Sequence, residues 1–320
     1  MTLADLPAWF PIAFAVAFGL IWGSFLNVVI YRVPRGLSVV RPGSACPACG
    51  TPIRAWDNVP VLGYLLLGGK ARCCGAKLSP RYPLVELIGG VLALAVLLVL
   101  VRPLPEATPI GMSLAVFCAG LALALGMVAA AFIDLEHMIL PDSITIGAAV
   151  LGVATSSFRG LTFVDALIGA AAGFAIVWLP FVVIYPRIRG GKVGMGLGDA
   201  KLLMAAGAWF GWSGALVVLG AGAVQGTIAA IVQLVVKGKI EEPEEVTKER
   251  EAILAEMEQM TPEERAEVEK ELAEDPLMQE AEGGLGGVRM AFGPFLALGM
   301  IEYLLFGKQA VEWFLTVGQG

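Results

Sequence analysis

Charge is scarce in this chain and histidine almost absent. Only 16% of the 320 residues are Asp, Glu, Lys or Arg, and there is a single histidine, His137. One imidazole leaves little material for a Ser-His-Asp arrangement. No HExxH motif occurs, which excludes a zincin-type metalloprotease. No basic residue precedes the first apolar run, about residues 7–31, and the only charged side chain before it is Asp5. A secretory signal starts cationic, so this run is not one. No glycine-rich nucleotide-binding fold is visible, because the segments between apolar runs are too small to hold one. Nor does the pattern of runs repeat between the two halves of the chain, as it does in many transporters.

What the chain does have is apolar length. It is 57% hydrophobic with a mean hydropathy of +0.77, and residues 111–133 carry no charge at all. A helix needs about 20 apolar residues to cross a bilayer. The composition predicts an all-α polytopic membrane protein with about eight transmembrane helices, near 7–31, 83–101, 111–133, 143–158, 163–186, 199–212, 214–236 and 290–306. The formal net charge of −6 conceals a division: residues 238–288 hold 17 acids against 5 bases, and everything else carries +6.

Basic loops mark the cytoplasmic side. Loop 32–82 holds eight Lys or Arg and one acid, Asp57, and loop 187–198 holds Arg187, Arg189 and Lys192. The alternate loops have only Arg102 and Arg159 as bases. This predicts both termini outside and the first loop in the cytoplasm. The expected organisation is a first span over 1–31, a basic cytoplasmic cysteine loop over 32–82, a transmembrane catalytic core over 83–237, an acidic cytoplasmic helical insert over 238–288, and a last span with the C-terminus over 289–320. Arg32, Arg35, Arg41 and Arg54 follow from this orientation and suit lipid headgroups.

Acids at membrane depth are costly and mark function by default. The membrane body has Glu86, Asp134, Glu136, Asp142, Asp165, Asp199 and Glu302. The topology brings Asp134, ending the third span, and Asp199, beginning the sixth, to one depth on the cytoplasmic face. Two facing carboxylates share a proton and titrate as a unit, so that one serves as base and the other as acid against an amide carbonyl. Interfacial anchoring and helix capping are the competing readings. Pro141-Asp142 reads as a helix break with an N-cap, and Lys201 either biases Asp199 or snorkels to the interface. Gly194, Gly196 and Gly198 precede Asp199 at alternate positions. Without Cβ atoms they let an extended substrate lie against the backbone, or they simply make a pliant loop. A transporter using the same two acids as proton or cation relays is the alternative function.

Cys46 and Cys49 form a CxxC, while Cys73 and Cys74 are adjacent. In a reducing compartment four thiols in one loop favour a structural zinc over a disulfide. Adjacent cysteines are expected to reach one metal only with strain, so three cysteines with another ligand or water is a second arrangement. Zinc would fold a loop with little core of its own. Cys118 reads as a small buried residue in the third span. In the insert, residues 261–275 have Thr261 as N-cap, Pro262 in the first turn and acids near the positive helix end. The preceding segment carries an apolar stripe of Ile253, Leu254 and Met257, so a helical hairpin is expected, followed by a glycine hinge over 282–287. The hairpin is either a solvated excursion or a charged patch that attracts basic partners.

Six segments occur in order: GSFLNVVIYRVPRG at 23–36, CPACG at 46–50, LSPRYPLVE at 78–86, FIDLEHMILPD at 132–142, GMGLGDAKL at 194–202 and FGPFLALG at 292–299. Together they resemble the bacterial type IV prepilin peptidases, GxGD aspartyl proteases of the inner membrane, over nearly the whole chain except 238–288. The resemblance implies cleavage of a short basic leader from prepilins or pseudopilins, just after a glycine, at the cytoplasmic face. It implies methylation of the new N-terminal residue with S-adenosylmethionine as donor. It places the two catalytic acids at Asp134 and Asp199, favours substrate contact for the glycines, and puts Glu86 at the active region. It also implies a zinc held by two CxxC pairs; here the position matching the third cysteine is Ala71, with Cys73 beside Cys74 instead. The partners implied are prepilins and membrane lipid, with no nucleic acid.

Overall fold

Hydrocarbon offers no partner to a backbone N–H or C=O, so an apolar run crosses it only as a helix that bonds internally. The computed structural model describes residues 1–188, 195–238, 243–257, 261 and 290–317. It contains α1 (Trp9–Arg32), α2 (Arg81–Val101), α3 (Ile110–His137), α4 (Asp142–Ala154), α5 (Phe163–Ile188), α6 (Leu197–Lys237), α7 (Glu244–Met257) and α8 (Gly293–Val317). Among the described residues the extended pairings are isolated bridges only. Helices α1, α2, α3, α5 and α6 are long and apolar enough to cross a membrane; α4 and the stretch Gly293–Gly307 are shorter apolar helices. The eight separate spans expected are thus not reproduced one for one, since 199–212 and 214–236 join in α6 and 143–158 shortens to α4.

The reason lies at Gly211. A straight helix of 41 residues would be about 60 Å long, twice the thickness of a bilayer core. Gly211 interrupts α6 with φ 74° and ψ 175°, a conformation that a residue with a Cβ avoids. The chain reverses there. A Cβ on Gly226 would stand 3.3 Å from Phe295, and one on Gly198 would stand 2.9 Å from Leu140, whose Cδ1 is 3.0 Å from a Cβ built on Gly293. The start of α6, through Leu140, and Gly226 in its second half therefore both pack near residues 292–295.

The chain divides into two units, Met1–Ala129 with Met300–Gly320, and Ala130–Gly299. Helix α3 passes from the first into the second at residue 130, and α8 returns at residue 300. In the first unit α1 packs along α2, where a Cβ on Gly89 would lie 2.5 Å from the Gly19 carbonyl oxygen. Small residues at such crossings let membrane helices approach closely. Between these helices the chain forms two small knuckles, each closed by one antiparallel bridge, Ala45 with Pro52 and Lys70 with Lys77. The Arg72 guanidinium grips Asp57 through Nε and Nη2 at 2.8–3.0 Å and holds its carboxyl below the usual carboxylate range.

In the second unit α5 packs on the first half of α6, with Gly169 and Gly207 in mutual backbone contact. Helix α5 opens with a capping box: the Asp165 N–H donates to Thr162 Oγ1 at 3.0 Å and the Thr162 N–H to Asp165 Oδ2. That accounts for one acid of the membrane body. Pro180 lies in a wider π-helical turn, Trp178–Ile184, because it cannot supply an intrahelical N–H. Arg159 caps two helix ends together. Its guanidinium donates to the carbonyls of Gly152 in α4 and of Trp209 in α6, the latter at 2.9 Å, and stacks 4.2 Å from the Trp209 ring. Helix α7 supplies the first arm expected of the acidic insert, with Met257 buried as the apolar stripe requires. The second arm, 262–275, and the hinge, 282–287, lie outside the described residues.

Candidate active site

Asp134 lies one turn before the end of α3, and Asp199 is the third residue of α6. Both are buried, with 5% and 9% of their surfaces exposed. Asp199 Oδ2 accepts the Gly196 N–H at 3.2 Å, closing the start of its own helix. Asp134 packs against Gly293, the first residue of α8. The starts of two helices, where partial positive charge collects, thus lie beside the two acids. Leu140 touches both Gly293 beside Asp134 and Gly198 beside Asp199, which brings the two carboxylates into one neighbourhood of the second unit.

The packing around them is tight. A Cβ on Gly293 would stand 2.6 Å from Asp134 Oδ2, and one on Gly196 would stand 3.4 Å from Asp199 Oδ2. Leu140 fills the space between Gly198 and Gly293, 2.9 Å and 3.0 Å from Cβ atoms built there. The link from Asp134 to Leu140 begins with Met138 at φ 53°, a left-handed residue whose N–H caps the Asp134 carbonyl at 2.9 Å. Of the three glycines expected to meet substrate, Gly196 and Gly198 flank Asp199, while Gly194 lies outside the described residues.

Asp142 departs from expectation. It is the first helical residue of α4 and not its N-cap; the cap position is Pro141. Its carboxylate takes the Lys201 ammonium at 2.6 Å, tying the start of α4 to the first turn of α6. Lys201 is thus neither left to snorkel nor turned on Asp199 alone. Sequence reasoning assigned no role to Gly293 or Leu140. The signal was there for Gly293, a glycine before a proline inside the FGPFLALG segment, but nothing in the sequence ties it to Asp134.

Glu86 and the four cysteines belong to the first unit. Glu86 is buried in α2, and its Oε2 accepts the Val61 N–H at 2.6 Å. Val61 has φ 61°, strained for a β-branched residue, so the carboxylate secures an unfavourable turn. The sulfurs of Cys46, Cys49, Cys73 and Cys74 all lie within 4.8 Å of one another. A tetrahedral zinc with bonds of ~2.3 Å sets its sulfurs about 3.8 Å apart. Here Cys46 and Cys74 are 3.7 Å apart, Cys49 and Cys73 3.3 Å, and Cys73 and Cys74 3.9 Å, so the donor set fits that ion.

The two knuckles repeat bond for bond. The Cys46 N–H donates to Thr51 O and the Gly50 N–H to Cys46 O; the Ala71 N–H donates to Ala76 O and the Gly75 N–H to Ala71 O. Ala71 therefore stands where Cys46 stands, and Cys73 brings in the fourth sulfur from inside the second knuckle. The Thr51 hydroxyl and backbone hold Cys49 down to about 6, while hydrogen bonding to Cys49 pushes Cys73 up to about 12. Facing thiols compete for protons, a conflict that a bound cation removes.

Two family models match the chain. Residues 17–100 match the one described as the bacterial peptidase A24 N-terminal domain, and residues 121–231 the one described as the type IV leader peptidase family. Among curated relatives, proteins called prepilin leader peptidase/N-methyltransferase match from Neisseria gonorrhoeae at 38% identity over 72% of this chain and 85% of theirs. One from Pseudomonas aeruginosa matches at 36% over 73% and 86%, and one from Myxococcus xanthus at 38% over 75% and 69%. No solved structure matches the chain.

Proposed function

This chain belongs to the type IV leader peptidase family, and we propose that it cleaves the leader from prepilins or pseudopilins and then N-methylates the new N-terminus. The observation that carries the cleavage reading is the pair Asp134 and Asp199, both buried and brought into one neighbourhood by Leu140, Gly198 and Gly293. The pair shares one proton. Its ionised member takes a proton from a water molecule as the water oxygen bonds to the scissile carbonyl carbon. Its protonated member gives its proton to the carbonyl oxygen. Collapse of the tetrahedral intermediate breaks the C–N bond, and the departing amine takes a proton back. Water and peptide enter, and an acid and an amine leave. Gly196, beside Asp199, offers a position without a side chain where an extended substrate can approach the backbone.

The cysteine quartet would hold a zinc that folds the loop of the first unit; S-adenosylmethionine supplies the methyl group. We read the chain as a multi-pass protein of the bacterial inner membrane that crosses eight times, with α6 crossing twice about Gly211, both termini outside and the aspartates at the cytoplasmic face. The basic loop 32–82 supports this orientation. The relay-transporter alternative gains no support from the relatives, whose name describes a peptidase and methyltransferase. Mass spectrometry of a prepilin incubated with purified protein and S-adenosylmethionine tests the reading. Wild-type protein is expected to remove the leader and add a methyl, and Asp134→Asn or Asp199→Asn to leave the leader in place. Wild-type cleavage by either variant would refute the dyad.

A further inference from the structure

The short link between α3 and α4, residues 138–141, carries Leu140 to the two acids. Leu140 is half-buried, and one of its methyl groups, Cδ1, reaches the supports of both. That methyl stands 3.2 Å from a Cβ built on Gly198, the residue before Asp199, and 3.0 Å from one built on Gly293. The Gly293 Cβ would in turn lie 2.6 Å from Asp134 Oδ2. Leu140 thus occupies the space that two missing side chains leave open. At Gly196 the surroundings differ. Among the described residues a Cβ there would meet Asp199 Oδ2 at 3.4 Å and the Gly198 nitrogen at 3.9 Å. The backbone before Asp199 is therefore covered by Leu140 at Gly198 and approachable at Gly196.

A side chain limits what fits beside it only if it cannot swing away. Leu140 is tied on both sides. Before it, the Met138 N–H donates to the Asp134 carbonyl at 2.9 Å, with Met138 held at φ 53°. After it, Pro141 fixes its own φ and confines Leu140 to extended backbone. The Pro141 carbonyl accepts the Ile144 and Thr145 N–H groups at 3.0 and 3.1 Å, and Asp142 takes the Lys201 ammonium at 2.6 Å. One tie is thus made to Asp134 itself, on α3, and the other to the first turn of α6, two residues after Asp199.

We propose that Leu140 sets the specificity of the cleavage by admitting only glycine on the acyl side of the cut bond. This rests on the peptidase reading above. To be cut, a peptide carbonyl has to reach both acids at once. The Cβ of the residue that owns this carbonyl would sit two bonds from the carbon under attack, and it would project into the space that Leu140 fills. Glycine has no such atom. The glycine expected before the cut then has a physical cause in this chain, a fixed leucine between the two acids. Making room for one extra methyl group discriminates between substrates by about 10–200-fold.

The test uses the full-length protein in detergent and a matched pair of prepilins, with glycine or alanine before the cut. Leader release followed by mass spectrometry gives kcat/KM for each. Wild-type protein is expected to favour glycine by about 10²-fold. Leu140→Ala is expected to narrow that ratio to about tenfold or less, through a higher kcat/KM on the alanine prepilin. A higher rate on one substrate is a gain that damaged packing does not produce. If Leu140→Ala fails to fold, Leu140→Val carries the same measurement, with a smaller narrowing expected. The proposal is overturned if the folded Leu140→Ala, or Leu140→Val in its place, changes both rates in equal proportion, because the residue then only packs the site. It is also overturned if wild-type protein cuts both prepilins equally, a result that leaves the peptidase reading standing. Wild-type protein that cuts neither prepilin refutes the peptidase reading and this assignment with it.

Discussion

The two units treat polar groups in opposite ways. In the first, polar side chains crowd a loop between helices: three of the four thiols are exposed, Asp57 pairs with Arg72, and Glu86 is drawn to a backbone N–H. In the second, two carboxylates are buried beside Leu140 and glycine, and Asp199 takes one backbone N–H. A loop with little core needs many ligands converging on one centre to fold at all. An acid–base pair needs the reverse: few partners, little water and fixed spacing. One chain thus carries a loop whose four thiols converge on one point and a site whose two acids are buried by packing.

That contrast can be broken from either side. Asp134→Asn or Asp199→Asn should lower cleavage by about 10³-fold or more while the first unit keeps its metal, as read by prepilin cleavage assay and metal analysis. Gly293→Ala places a Cβ 2.6 Å from Asp134 Oδ2 and should cost about 10²-fold in cleavage rate, with membrane insertion normal. Cys46→Ser should strip the first unit of its metal, from about one zinc per chain to none, and leave cleavage by the second unit standing. Cleavage lost together with zinc would show that the units do not function separately. Arg159→Met removes the double helix cap and should destabilise the second unit by about 2 kcal/mol in thermal unfolding. The smallest effect should come from Val61→Gly, which relieves a left-handed β-branched residue and should stabilise the first unit by about 1 kcal/mol.

Much of the fold was legible because apolar length and loop charge are local properties. Helices α1, α2, α3 and α5 lie where the apolar runs place them. The two spans drawn over 199–236 merged because a single glycine, which sequence reads as one more small residue, turns a long helix back without a polar loop. At the cysteines, two adjacent residues looked unfit for one metal, and only the matched knuckle bonds at Cys46 and Ala71 show how Cys73 enters the cluster. The pairing of Asp142 with Lys201 joins residues 59 positions apart, and no spacing rule reaches that far.

By itself the sequence determined that the chain is helical and apolar, which acids lie at the ends of its apolar runs, and which family it resembles. Those follow from residue types and their order. Tertiary structure alone decided that Asp134 and Asp199 share a neighbourhood and that Gly293 packs against the Asp134 carboxylate. These depend on which helix ends meet. That meeting is set by close packing over glycine contacts such as Gly169 with Gly207, where energy depends on three-dimensional fit and not on position along the chain.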